Sequence, residues 1–155
     1  MSRPLVKAVL IDPGARTVRD LPIPRDDPAE WNHLIGCDLM HIGRAPIPGV
    51  MFAVDDGGLL KPNACFVLLG YAQPLAGKAL LVGCDQWGET IDCPLDADGA
   101  AALVVAWVPQ ETALAQVRTD IALGAAEARA YGLEVKTSPD GLCNVISARR
   151  GHGQR

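Results

Sequence analysis

The fold is decided by residues 50–95, which read VMFAVDDGGLLKPNACFVLLGYAQPLAGKALLVGCDQWGETIDCPL. Three apolar runs, at 50–54, 65–69 and 78–83, are each followed by aspartate, glycine or proline residues typical of turns. Uninterrupted apolar runs of this length predict β-strands that are buried on both faces. A shorter segment, 89–93, alternates apolar and polar residues and predicts a fourth strand with one buried face.

The residues before this stretch predict a hairpin, a short helix and one more strand. Residues 5–11 form an apolar run, and Asp12-Pro13-Gly14 predicts a reversal into a partner strand over 15–23, whose prolines indicate an edge or a strand end. Asp27, followed by Pro28 and Glu30, has the pattern of a helix start, and Gly36 suits a left-handed helix end. Residues 38–44 follow as a predicted strand.

The residues after this stretch are richer in alanine. Residues 100–108 fit a helix by their start and a strand by their β-branched content, and we favour the helix. The clearest helix of the sequence is predicted over 110–131, where apolar residues recur at spacings of three and four before Gly132. Two short strands at 133–137 and 142–146 are predicted to form a hairpin.

Together these elements predict an α+β fold. We expect a single domain in which a mostly antiparallel sheet packs against the C-terminal helices of residues 100–131. Its organisation would be an α+β core over 1–108, a helix and hairpin packed on it over 109–147, and a disordered basic tail over 148–155. Five alanines between 122 and 130 would allow close helix approach within the chain or in a possible homodimer.

Composition narrows the classes of function. The 155 residues carry a net charge of −4, which argues against a nucleic-acid partner because phosphate binding requires a basic face. No segment resembles a signal peptide or reaches the length of a membrane span, so we expect a cytoplasmic protein without membrane contact. The five cysteines lack metal-ligand spacing and favour buried reduced thiols.

The sequence contains no catalytic set that we can support. The histidines are scattered, the three serines lie outside any nucleophile turn, and a Gly-Lys pair at 77–78 lacks the rest of a phosphate-binding loop. We therefore predict no catalytic residues, no metal ligands and no cofactor. An enzyme is not excluded, although we favour a protein without catalytic activity.

Candidate binding residues lie in the turns of residues 50–95. The carboxylates of Asp55, Asp56, Asp85 and Glu89 could share one edge of a sheet and bind a ligand, or could simply hydrogen-bond the backbone of their own turns. Trp87 stands out because an indole at a tight turn has few local neighbours to cover it. It would either anchor an interface or fold back over the 78–83 strand. The remaining candidates for ligand or partner contact are Lys61, Asn63 and Tyr71.

Four ordered motifs in residues 5–108 resemble a family of small phage, plasmid and metagenomic proteins that carry a domain of unknown function. The matching residues are KAVLIDP at 7–13, LIGC at 34–37, VDDGGLLK at 54–61, and PLAGKAL at 74–80 continued by the GxDxxGE pattern at 83–89. The family has no established catalytic residues. The resemblance implies an accessory role in a mobile element, such as countering host defence, whereas residues after 109 depart from the family pattern.

Three functions therefore remain to be distinguished. The leading hypothesis is a non-enzymatic binding protein that blocks a host protein or sequesters a small nucleotide-like molecule. The second is a small metal-dependent hydrolase that uses the four loop carboxylates, and it requires them within one coordination sphere. The third is a structural component that forms closed oligomers.

Overall fold

A computed structural model describes residues 4–148 and divides into two compact units, one ending at Ala113 and one beginning at Leu114. The first unit contains two helices, α1 and α2, one 3-10 turn at Gly58–Leu60, and nine strands, β1 to β9. The helices are α1 (Pro28–Ile35) and α2 (Ala97–Leu103). The strands are β1 (Leu5–Asp12), β2 (Thr17–Pro24), β3 (Met40–Arg44), β4 (Val50–Asp55), β5 (Cys65–Leu68), β6 (Leu75–Ala76), β7 (Ala79–Cys84), β8 (Thr90–Ile91) and β9 (Val104–Val108).

A six-stranded antiparallel sheet forms the centre of the first unit. Its order is β2-β1-β7-β4-β3, and β8 pairs with the end of β7. A second antiparallel sheet has the order β6-β5-β9. The predicted α+β class with a mostly antiparallel sheet is confirmed.

The three central strands of the large sheet are buried on both faces, as the uninterrupted apolar runs indicated. On one face Phe52 and Leu81 pack in a cluster with Phe66, Leu68 and Ala100, which come from the second sheet and α2. Fully buried aromatic and branched side chains of this kind contribute most of the hydrophobic stabilisation of a domain.

The opposite face of the large sheet is covered by α1. Leu80 and Val82 lie in a cluster with Trp31 and Ile35. The indole nitrogen of Trp31 donates a hydrogen bond to the carbonyl of Pro24 at 2.7 Å, so its buried polar atom is satisfied. The large sheet is thus covered by α1, by α2 and by the second sheet. The sequence did not indicate that its strands would divide between two sheets.

The middle apolar run of residues 50–95, which forms β5, lies in a different sheet from the runs before and after it. The first and third runs, β4 and β7, pair directly with each other, while β5 pairs with β6 and β9. The helix predicted over residues 100–108 is correct only for its first part, because residues from Val104 form β9. Cross-strand pairing with β5 favours the extended conformation for a segment rich in valine and tryptophan.

The helix ends follow local sequence signals more closely than the strand pairing does. The Asp27 side chain accepts a hydrogen bond from the backbone of Glu30 at the start of α1, and Gly36 ends that helix with φ of 82°. The Asp96 side chain accepts one from Gly99 at 2.8 Å and caps α2. These caps stabilise the helix ends whatever lies around them.

The second unit consists of most of a long helix and a hairpin. The helix α3 (Gln110–Ala130) begins within the first unit and continues into the second, where β10 (Glu134–Thr137) pairs with β11 (Asn144–Ser147). The Asn144 amide donates a hydrogen bond to the carbonyl of Ile121 at 2.8 Å, and the Arg118 guanidinium donates one to the carbonyl of Asp140 at 2.8 Å. The predicted long helix and hairpin are therefore present and joined.

Two further expectations concern the ends and the surface of the chain. Within residues 4–148, no helix is long and apolar enough to cross a membrane. The disordered basic tail predicted over 148–155 lies outside the described residues, apart from Ala148.

Candidate functional site

The turn between β7 and β8, residues 85–89, is held by a network of its own backbone. The amide of Asp85 donates to the carbonyl of Glu89 at 3.0 Å, and the amide of Gly88 donates to the carbonyl of Asp85 at 3.1 Å. One carboxylate oxygen of Asp85 accepts hydrogen bonds from the amides of Trp87 and Glu89, both at 2.9 Å. Gly88 has φ of 84°, a conformation that favours glycine. We call residues 85–89 the Trp87 turn.

The indole of Trp87 projects into solvent from this ordered turn. Trp87 is 79% exposed, so the ring does not fold back over β7. The two other tryptophans are less exposed. Trp31 is 6% exposed, and Trp107 is half-buried against the cluster that contains Phe52 and Phe66. A large apolar ring on a backbone that is already ordered loses little conformational entropy when it binds.

An ion pair joins the Trp87 turn to a distant part of the chain. The Arg25 guanidinium, which follows β2, lies 2.7 Å from the Glu89 carboxylate. The Arg25 backbone amide donates to the carbonyl of Pro4 at 2.9 Å, and its Nε is buried without a hydrogen-bond partner among the described residues. Arg25 was not predictable from the sequence, because 64 residues separate it from Glu89 and no local pattern links them.

A groove of about 680 Å³ lies beside the Trp87 turn. One wall is formed by Asp85, Gln86 and Gly88, and the other by the β3–β4 connection with Arg44. The amide of Cys84 donates to the carbonyl of Gly49 at 2.9 Å, which ties the two walls together. The groove thus continues the surface from which Trp87 projects.

The turn after β4, which we call the Asp55 turn (residues 55–63), uses its carboxylate differently. Asp55 accepts a hydrogen bond from the amide of Gly57 at 3.0 Å and forms an ion pair with Lys61 at 2.7 Å. The Asp55 side chain is only 9% exposed, and the hydrogen bond to it raises the pKa of Lys61. The Asn63 amide donates to the carbonyl of Gly58 at 2.9 Å. Lys61 and Asn63 thus stabilise the turn itself.

A smaller groove of about 250 Å³ lies against the Asp55 turn. Asp55, Asp56, His41 and Tyr71 all line it. The Tyr71 ring meets Phe52 edge-on, with 5.1 Å between the ring centroids, so its apolar part belongs to the core. The walls carry two carboxylates, which disfavours an anionic ligand such as a phosphate.

The structure does not bring the four loop carboxylates together. Asp55 ends β4, whose first residue Val50 pairs with Gly83, and Asp85 follows two residues after Gly83. Seven residues of extended chain therefore separate the two turns, which is roughly 23 Å at a rise of about 3.3 Å per residue. The hydrolase hypothesis required Asp55, Asp56, Asp85 and Glu89 in one coordination sphere. The separation of the two turns excludes that arrangement. Within the described residues there is no group of three metal-ligating side chains.

The buried thiols are not poised for nucleophilic chemistry. Burial raises the pKa of Cys65 and of Cys93, and it also raises that of Cys37 with help from the nearby Asp55 charge. A raised pKa keeps these groups protonated at neutral pH, and a protonated thiol is a poor nucleophile. Cys65 and Cys93 are buried as small apolar side chains, whereas Cys37 and Cys84 are half-buried and Cys143 is exposed, so the expectation of buried thiols holds for two of the five.

No protein-family model, curated protein or solved structure matches the chain. The geometry of the two turns is therefore the basis for inferring a function.

Proposed function

We propose that the protein is a non-enzymatic binding protein that engages a partner protein through the Trp87 turn. The single observation that carries this proposal is the 79% exposed indole on a turn held by two backbone and two carboxylate hydrogen bonds. Tryptophan is the residue most enriched among those that dominate protein–protein binding energy. An ordered turn presents it without a large entropic cost.

The surroundings of Trp87 favour a protein over a small anionic ligand. The adjoining groove has a volume of about 680 Å³, and Arg44 on the wall opposite the turn supplies a positive charge. Polar and charged groups around an aromatic anchor are the usual anatomy of a protein interface. The smaller groove carries Asp55 and Asp56, so sequestration of a nucleotide-like molecule has less support.

We further propose a more specific form of this function, based on the resemblance of the four sequence motifs to small proteins of phages and plasmids. In that form the partner is a host protein, and binding blocks it for the benefit of a mobile element. The Trp87 turn lies within the GxDxxGE pattern that carries part of the resemblance.

The test places a photo-activated cross-linking residue at position 87 and, in a second variant, at position 131. Tyr131 is the matched control because it is also aromatic and also 79% exposed. We expect a specific protein adduct from position 87 in cells of a host bacterium and none from position 131. Mass spectrometry then identifies the partner for measurement with purified proteins.

With the purified partner, Trp87→Ala should weaken binding by roughly tenfold or more, as expected for a tryptophan hot spot. Tyr131→Ala should leave the affinity unchanged, and neither variant should shift thermal unfolding, because both side chains are exposed. Equal affinity of Trp87→Ala and the unmodified protein would overturn the proposal. A small added mass in native mass spectrometry, without a protein adduct, would replace it with ligand sequestration.

A further inference from the structure

The two edges of the large sheet are protected to different degrees. Within residues 4–148, β2 pairs with β1 alone and β3 pairs with β4 alone, so each has one open side. The β2 edge carries Pro22 and Pro24, which cannot donate backbone hydrogen bonds to an added strand. The β3 edge contains no proline, and it exposes Ile42 at 50%. The β3 edge is therefore open to a further strand.

The register shows which backbone groups of β3 face outward. The carbonyl of Leu39 accepts from the amide of Asp56 at 3.0 Å, and the amide of Ala45 donates to the carbonyl of Val50 at 3.0 Å. The direction of the backbone amide and carbonyl groups alternates along an antiparallel strand. His41 and Gly43 therefore also direct these backbone groups toward β4. Met40, Ile42 and Arg44 consequently direct their amide and carbonyl groups toward the open side.

Opposite charges lie at the two ends of this edge. Asp38 precedes the strand, and Asp55 is paired with its first residue, Met40. Arg44 ends the strand. Asp38 and Arg44 are both exposed, and neither forms an ion pair with another residue of the described part. The segment 38–44 is thus acidic at one end and basic at the other, with His41 at the centre of an otherwise uncharged, mainly apolar run.

We propose that β3 pairs antiparallel with β3 of a second copy of this chain, about a twofold axis close to His41. In that arrangement Arg44 of each copy lies opposite Asp38 of the other, and Met40 lies opposite Ile42 twice. Gly43 falls opposite Leu39, and the Phe52 ring of the same copy already fills the space where a Gly43 side chain would lie. The result is one continuous antiparallel sheet across the two copies.

The argument for a second copy, rather than an unrelated strand, is self-complementarity. A twofold interface requires that if one residue contacts another, the reverse contact also forms. β3 has Arg44 at its end and Asp38 two residues before its start, so it meets that condition when it pairs antiparallel with itself. A parallel arrangement would place like charges together. Because few residues pair, the dimer should be reversible and should depend on protein concentration.

The test uses charge reversal at the two ends of the edge. Arg44→Asp makes both ends acidic and Asp38→Arg makes both ends basic, so each variant alone should dimerise more weakly by roughly tenfold or more. An equal mixture of the two variants restores both opposite-charge contacts and should form a heterodimer. Sedimentation velocity over a concentration series measures all three cases, and far-ultraviolet circular dichroism checks that each variant is folded.

Hydrogen exchange gives a second measurement that does not depend on substitutions. The outward amides of Met40, Ile42 and Arg44 should exchange more slowly as protein concentration rises, whereas the amides of His41 and Gly43 should not change. A protein that stays monomeric over the whole series would overturn the proposal. A dimer that both single variants leave intact would also overturn it, because the contact would then lie elsewhere.

Discussion

The Trp87 turn and the Asp55 turn lie at opposite ends of the paired strands β4 and β7, and both are organised by one aspartate. The Asp85 carboxylate accepts two backbone amides and leaves an aromatic side chain exposed beside it. The Asp55 carboxylate accepts one amide and binds the Lys61 ammonium, with a nearly buried side chain. The same residue type therefore serves as a hydrogen-bond acceptor at one end and as a charge at the other.

This difference explains why the loop carboxylates alone do not define a shared site. Each aspartate is engaged by groups of its own turn, as short polar side chains in turns commonly are. What distinguishes the two ends is the neighbour that the turn presents. At one end this is the exposed indole of Trp87, and at the other it is a closed contact with Lys61.

The largest loss of stability is expected from adding a side chain at a glycine that packs directly against backbone, one near each turn. A Cβ at Gly83 would overlap the carbonyl oxygen of Asp92, and one at Gly58 would lie 2.7 Å from the carbonyl oxygen of Ala76. Gly83→Ala should lower the free energy of unfolding by about 3 kcal/mol and Gly58→Ala by about 1–2 kcal/mol, since overpacking against backbone forces strands apart. Urea denaturation measures both.

Gly124→Ala is the control for these two substitutions. Gly124 lies in α3, and the nearest atom to its added Cβ is 4.0 Å away, so alanine should stabilise the helix by up to about 1 kcal/mol. If Gly83→Ala were as stable as the unmodified protein, β8 would not be packed against β7 as the structure describes.

A smaller effect should separate the two roles of aspartate. Asp85→Ala removes the acceptor of two amides and should cost about 1–2 kcal/mol, whereas Asp85→Asn keeps an acceptor oxygen and should cost much less. At the other end, Asp55→Asn should cost nearly as much as Asp55→Ala, about 1–2 kcal/mol, because an amide cannot replace the charge that pairs with Lys61. Thermal and urea unfolding of the four variants provide the comparison. Equal costs for Asp85→Asn and Asp85→Ala would show that charge matters at that end too.

The smallest effect concerns a third aspartate turn, in the hairpin of the second unit. The Ser138 hydroxyl donates to the Asp140 carboxylate at 2.5 Å, and the amide of Leu142 donates to the same oxygen at 3.0 Å. These bonds, with Ser138 the larger cause, lower the pKa of Asp140 below its ordinary value of 3.8. A lowered folded-state pKa stabilises the turn above pH 3.8, and this contribution is lost as the pH falls through the folded-state pKa.

Ser138→Ala should therefore move the pKa of Asp140 toward its ordinary value, which a carboxyl-carbon NMR titration measures. Thr137→Ala is the control, because the Thr137 hydroxyl donates to Asn144 at 2.7 Å and not to Asp140. An unchanged Asp140 titration in Ser138→Ala would mean that the Leu142 amide alone holds the pKa down.

Part of the candidate site was predictable for a local reason. The turn chemistry of residues 84–88 placed Trp87 at a turn between strands, and an indole there has few sequence neighbours to cover it. The choice between a projecting ring and one folded over β7 depended on what lay across the sheet. Arg25 and the groove with Arg44 were not predictable, because their contacts with the turn join segments far apart in the chain.

The sequence by itself determined the elements that depend on neighbours along the chain. These include the paired first strands, the caps of α1 and α2, the long helix and the C-terminal hairpin, because turn conformations, caps and periodicity are decided within a few residues. The tertiary structure alone decided that β4 pairs with β7, that β5 joins a second sheet, and that residues 104–108 form a strand. The physical reason is that strand pairing joins distant segments, and apolar runs such as β4, β5 and β7 are alike in sequence until their partners bury them.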